Sequence, residues 1–187
     1  MASKAHLSVV GGILLGDVLS PAELEAARLD GDVYRLGDGF RPVDLPDTAA
    51  ARAASLAREI PRRLIAHGGT AAWIWRALSH LPRPLECCHP VGTTAPGVPM
   101  LAIRVRERRL ADEDVAIAGG MRVTTPLRTA LDLIRVAAAS FDREAVIRLL
   151  RGAGLGRDAL EAAIESRPGL HGRSLALQRL ETIPSRC

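Results

Sequence analysis

Arg104, Arg106 and Arg108 alternate with Leu101, Ile103 and Val105 in the stretch from Met100 to Arg108. On a strand this alternation puts the three guanidiniums on one face at steps of roughly 6.5 Å. That spacing suits a phosphate backbone or an acidic protein surface, and it suits equally the charged face of an edge strand that must not aggregate. A second constellation follows a Gly119-Gly120 turn: Arg128, Asp132 and Arg135 stand four and three residues apart, the steps at which side chains meet on a helix surface. Other chemistry-bearing types are dispersed. Cys87, Cys88 and His89 are adjacent, so on a strand they point to alternate faces, and no second Cys or His pair at ligand spacing accompanies them. Asp112 to Asp114 is an acidic cluster of the kind that can hold a divalent cation, though a solvated turn before a strand uses the same residues. His67 reads as a capping or core histidine and His80 as a loop histidine.

Positioning these residues requires a particular series of elements. Met121 to Thr124 has the branched character of a short strand. Thr125 then supplies an N-cap hydroxyl and Pro126 the first helical residue, where a missing amide costs nothing. Leu127, Ala130, Leu131 and Ile134 follow as one apolar face. Upstream, the pattern predicts a helix over 47–60 capped by Asp47 and stopped by Pro61, strands at 64–66, 85–89 and 100–108, and a helix over 70–78 bearing Trp73 and Trp75. Downstream it predicts helices near 126–138, 141–151, 157–166 and 172–183. Gly152 to Gly156 reads as a helix C-cap and loop, because it follows a helix and a dinucleotide site would need a preceding strand. The fold class is therefore α/β or α+β: a short mixed sheet packed by C-terminal helices.

Residues 1–43 have a different character. Ser20, Pro21 and Glu23 form a capping-box start for a helix with Leu24, Ala27 and Leu29 on its buried side. Gly37 to Gly39 then sits between two short strands. A helix followed by a two-stranded wing is the latter half of a winged helix-turn-helix. About eighteen residues precede Leu19, too few for two complete helices with connections, so the unit is abbreviated. Four Lys and Arg stand against six Asp and Glu in this segment, leaving 21 against 15 in residues 44–187. The helix carries Glu23, Glu25 and Asp30 against Arg28, and a phosphate backbone repels such carboxylates. Arg28, Arg35 and Arg41 are the local DNA-binding candidates, beside Arg104, Arg106 and Arg108 of the later strand. The expected division is a truncated winged-helix-like segment, 1–43, and a larger domain, 44–187.

Composition removes several classes of function. With 3% aromatics the chain lacks the stacking platforms of single-strand RNA readers. Lys4 is the only lysine, so there is neither a phosphate-binding P-loop nor the lysine of metal-dependent nuclease cores. A Gly-x-Ser-x-Gly elbow is missing too. Catalysis has no visible seat, and no metal or cofactor is expected. The absence of a long apolar run or secretory signal predicts a cytoplasmic protein without a membrane partner.

The string T-T-P-L-R-T-A-L-D-L, with Thr125, Pro126, Arg128, Thr129, Asp132 and Leu133, resembles the C-terminal domain of the AbiEi-family antitoxins of type IV toxin-antitoxin systems, in their actinobacterial transcriptional-regulator form. Ala66-His67 with Ala71-Ala72 is similar to an upstream motif of that family. R-G-A-G-L-G-R-D-A-L and R-P-G-L-H-G-R-S-L resemble its closing helices and loops. The likeness spans roughly residues 60 to 183. It implies a non-enzymatic, winged-helix, DNA-binding regulator that represses its own promoter and counters a nucleotidyltransferase-type toxin. The alternative is an orphan protein-interaction module of the same family that has lost DNA binding. His67, Thr125, Pro126, Arg128, Thr129 and Asp132 are the family-motif residues, and their role is assigned to folding.

Overall fold

The computed structural model describes residues 12–13, 19–93, 102–136 and 141–185. The first helix, α1 (Pro21–Asp30), starts on the expected capping box, with Ser20 Oγ accepting from the Glu23 amide and Glu23 accepting from the Ser20 amide. It ends where Gly31 turns left-handed at φ 85°. Leu24 is buried and Ala27 partly so, but Leu29 is exposed. Five residues advance the helix by about 500°, which carries Leu29 well away from the face of Leu24. Strands β1 (Val33–Leu36) and β2 (Gly39–Pro42) pair antiparallel around a two-residue turn in which Leu36 faces Gly39. Val33 and Phe40 pack on Leu24, whereas Leu36 joins the main core.

The next helix, α2 (Ala49–Ser55), is shorter than the sequence pattern suggests, and Thr48 caps it in place of Asp47. The Asp47 carboxylate goes to Arg52 at 2.6 Å instead. Beyond Ser55 the amides of Leu56 and Ala57 bond three residues back, a tightened end that replaces the α-helical pattern. Two glycine turns grip this helix. A Cβ on Gly37, from the β1–β2 turn, would lie 2.1 Å from Ser55 Oγ, and one on Gly119 would lie 2.2 Å from the Ala50 carbonyl oxygen. Both have positive φ, so glycine is required there twice over.

A five-stranded mixed sheet forms the centre. In chain order its strands are β3 (Ile65–Ala66), β4 (Leu85–Pro90), β5 (Ile103–Arg108), β6 (Val115–Ala118) and β7 (Met121–Thr124); in space the order is β5-β4-β3-β7-β6. β4 and β5 run parallel, as do β3 and β7, while the β3–β4 and β6–β7 pairs are antiparallel. Met100 and Leu101, expected at the start of β5, lie outside the described residues. Helix α3 (Gly68–Ile74) contributes to two apolar cores, Ala71, Trp73 and Ile74 to one and Ala72 to the other. One core holds Leu64, Ile74, Leu85, Ile103 and Val123. The other gathers α4 (Pro126–Ile134), α5 (Arg143–Gly152), α6 (Arg157–Glu165) and α7 (Arg173–Leu180) around Leu131, Leu149, Leu150 and Ile164. The fold is thus α+β, with the helix-plus-wing segment ahead of a mixed sheet covered by C-terminal helices. Among the described residues no helix is long and apolar enough to cross a membrane.

Candidate functional site

The segment from β7 into α4 forms as its residue types dictate. Thr125 Oγ1 accepts from the Arg128 amide at 3.3 Å and Pro126 takes the first helical position. Thr129 is fully buried, exchanging a 2.8 Å hydroxyl contact with Thr124 and donating to the Thr124 carbonyl. The apolar side of α4 faces the second core. Its polar side is buried as well, which the helical spacing alone did not indicate.

Arg128, 6% exposed, donates through Nε to Asp132 at 3.1 Å and through a terminal nitrogen to Asp114 at 2.5 Å. Asp132, 4% exposed, also takes Arg135 at 2.6 Å. The other oxygen of Asp114 takes Arg167 at 3.0 Å. Five charged side chains thereby form one chain of contacts from Arg167, just beyond α6, through the β5–β6 connection to α4. The Arg128 guanidinium also donates to the Arg109 carbonyl, so most of its donors are used. Asp114 corrects the reading of the acidic cluster: of Asp112, Glu113 and Asp114 it alone is buried, and its carboxylate also closes the short 3₁₀ turn by accepting from the Ala111 amide. Among the described residues no cluster of His, Cys, Asp and Glu has the makings of a metal site.

The arginine stripe of β5 has the expected alternation, since Ile103 is buried and Arg104 and Arg106 are exposed. Arg104 is open to solvent, whereas Arg106 and Arg108 reach the rim of a cavity. Register pairs Glu86 with Arg104, Cys88 with Arg106 and Pro90 with Arg108, and this side of the β4–β5 pair turns toward the polar side of α4. Between them is a cavity of about 440 Å³ lined by His67, Glu86, Arg106, Arg108 and Asp132, with apolar wall from Leu133 and Phe141. Arg108 also borders a wider groove of about 1210 Å³ that runs past Arg128, Arg135 and Arg167.

His67 stands at the N-cap position of α3 without capping it through its side chain. It is 5% exposed, and neither Nδ1 nor Nε2 has a hydrogen-bond partner. Burial pulls its pKa down to about 4, against the opposing pull of Asp132 and Glu86 and with help from Arg108 and Arg106. Glu86 is tightly framed. Its Oε2 accepts from the Gly69 amide at 2.6 Å, its own amide donates to Thr70 Oγ1, and a Cβ on Gly68 would lie 2.4 Å from Oε2. Cys87 and Cys88 point to opposite sides and are both buried, with burial pushing each thiol up to about 12. His80 is an exposed loop residue at the cavity rim.

The N-terminal candidates are arranged otherwise. Arg28 and Arg35 both pair with Glu25, and Arg35 also lies 4.9 Å from the Phe40 ring centre. Arg41 is buried, and its Nε donates to the Pro46 carbonyl at 3.0 Å. Sequence reasoning missed Glu86, Asp114 and Arg167 as members of the polar assembly. The Gly68-Gly69 pair and a carboxylate between the buried Leu85 and Cys87 were the available signals for Glu86; Asp114 and Arg167 left none.

These features define an α+β protein whose sheet and fourth helix enclose a set of charged side chains. The chain belongs to the AbiEi antitoxin C-terminal domain family, whose model matches residues 64–181. Family membership supports an antitoxin or regulatory role. Among solved structures the chain is similar to the crystal structure of the RV2827C protein from Mycobacterium tuberculosis, at 16% identity and a TM-score of 0.47, over 86% of this chain and 63% of that one. The chain thus spans less than two thirds of the length of that protein. No curated protein matches.

Proposed function

We propose that this protein is a non-enzymatic, cytoplasmic antitoxin-like transcriptional regulator that represses its own promoter and counters a nucleotidyltransferase-type toxin by binding. The observation that carries the reading is the family match over residues 64–181. The division into a DNA-facing segment, 1–43, and an antitoxin domain, 44–187, belongs to the same proposal. Arg104 and Arg106, exposed on β5, are the candidates for phosphate contact.

A specific observation favours a second reading, the interaction module without DNA binding. Glu25 engages both Arg28 and Arg35, and Arg41 is buried, so α1 and its wing offer phosphate little unengaged positive charge. Because Leu36 packs into the main core, point substitutions test this more cleanly than truncation. The experiment has two arms: growth rescue when the chain is co-expressed with a nucleotidyltransferase-type toxin, and binding to a duplex of its upstream promoter across a salt series. The regulator reading expects rescue and promoter binding that weakens as salt rises, with a shallower salt slope for Arg104→Ala with Arg106→Ala. Rescue without promoter binding supports the second reading. Failure of both arms overturns the proposal.

A further inference from the structure

The polar side of the cavity holds more positive charge than its carboxylates use. Asp132 is shared by Arg128 and Arg135. Glu86 takes the Gly69 amide on one oxygen and stands 3.8 Å from Arg104 on the other. Asp142, at the far rim, caps the Ala145 amide and lies 3.8 Å from Arg148. Each acid therefore has its own donor or cation. Arg106 and Arg108, which also line the cavity, form no ion pair among the described residues, and the buried Nε of Arg108 has no hydrogen-bond partner. Beside them is His67, buried, with both ring nitrogens unpartnered. A buried polar atom left without a partner costs stability, and in a cavity of ligand size it points to a guest that completes it.

We propose that this cavity binds a small phosphate monoester, with its phosphoryl oxygens on Arg106, Arg108 and His67 and its organic body against Leu133 and Phe141. Two guanidiniums two residues apart on one strand face, with an imidazole between the sheet and α4, offer more donors than the two oxygens of a carboxylate can use; a phosphoryl group has three. Neutral His67 keeps one N–H to donate, and its ring adds no charge that the adjacent arginines would oppose. The apolar wall adds body recognition that inorganic phosphate cannot exploit. Arg179 stacks 4.4 Å from the Phe141 ring centre and fixes part of that wall. The inference concerns a small-molecule site and does not rest on promoter or toxin binding.

The test is titration of the full chain with phenyl phosphate, inorganic phosphate and benzoate at low ionic strength, by calorimetry and by nitrogen-15 shifts of the His67 ring. Phenyl phosphate should bind more tightly than either of the others and should move the His67 nitrogens. Arg106→Gln and Arg108→Gln should each weaken it by about tenfold or more, the loss expected of a charge-assisted hydrogen bond, whereas Arg104→Gln should change it little. Arg106 is exposed, so its variant tests the site without risk to the core. Benzoate binding as tightly as phenyl phosphate, unmoved His67 nitrogens at saturation, equal losses in Arg104→Gln, or no binding at millimolar concentration would each overturn the proposal.

Discussion

Glu25 holds Arg28 and Arg35 in water at the N-terminal end of the chain, whereas Asp114 and Asp132 hold Arg128, Arg135 and Arg167 largely out of water beside α4. The pairing chemistry is the same and its consequence is opposite. In water, solvent and salt compete for each partner, so the pairs near α1 set surface charge and contribute little to stability. Out of water, each member is needed by its neighbours, because removing one leaves an uncompensated charge in a poorly solvated place. The difference shows why a count of arginines says little about function in this chain: some are structural and some are neutralised.

The comparison can be broken most directly at Arg128. Arg128→Ala should cost about 3–5 kcal/mol in chemical denaturation, since it removes the buried cation that joins Asp114 to Asp132 and leaves each with only its outer arginine, Arg167 or Arg135. A loss as small as that of a surface pair would show that water reaches the network. His67 sharpens the contrast, being a buried polar group in the same region with no partner at all. Its ordinary value of 6.5 falls to about 4 in the folded chain. Between these values the unfolded chain binds a proton that the folded chain refuses. The stability is therefore fully present above pH 6.5 and declines as pH falls toward 4, by up to about 3 kcal/mol in total. Stability measured at several pH values should fall less steeply over that window in His67→Phe than in the parent. Parallel profiles would mean that the ring is not buried as a neutral base.

A smaller effect is expected at the cap of α4. Thr125→Ala should lower stability by about 1 kcal/mol and leave partner binding intact; lost binding at an unchanged melting temperature would move Thr125 from folding to function. The smallest effect belongs to Glu25→Gln, which should leave the melting temperature where it is. Its influence should appear in DNA affinity, through release of Arg28 and Arg35. Unchanged affinity in that variant would remove α1 and its wing from any DNA contact.

What could be read along the chain was local. The cap at Thr125, the strand before it, the capping box at Ser20 and the alternation in β5 all depend on neighbours within a few residues, and each forms as its residue types require. The burial of the polar side of α4 was not legible, because it needs Asp114 from the β5–β6 connection and Arg167 from beyond α6. The same holds for the cavity. The stripe of Arg104, Arg106 and Arg108 could be placed on one strand face, but whether that face meets water or α4 depends on the sheet order, which no local pattern specifies. The overlong helix expected at 47–60 has a related cause: alanine-rich sequence favours helix throughout, and only tertiary packing ends it at Ser55.

The grip of Gly37 and Gly119 on α2 has a consequence for how the molecule comes apart. The wing turn and the β6–β7 turn are distant in sequence, yet each is seated on α2 where a single methyl group would not fit. If α2 frays, both turns lose their support at once; if either turn lifts, one side of α2 is open to water. In hydrogen exchange these three pieces should behave as one foldon, so that opening near the N-terminal wing is felt at the strand leading into Thr125 and α4.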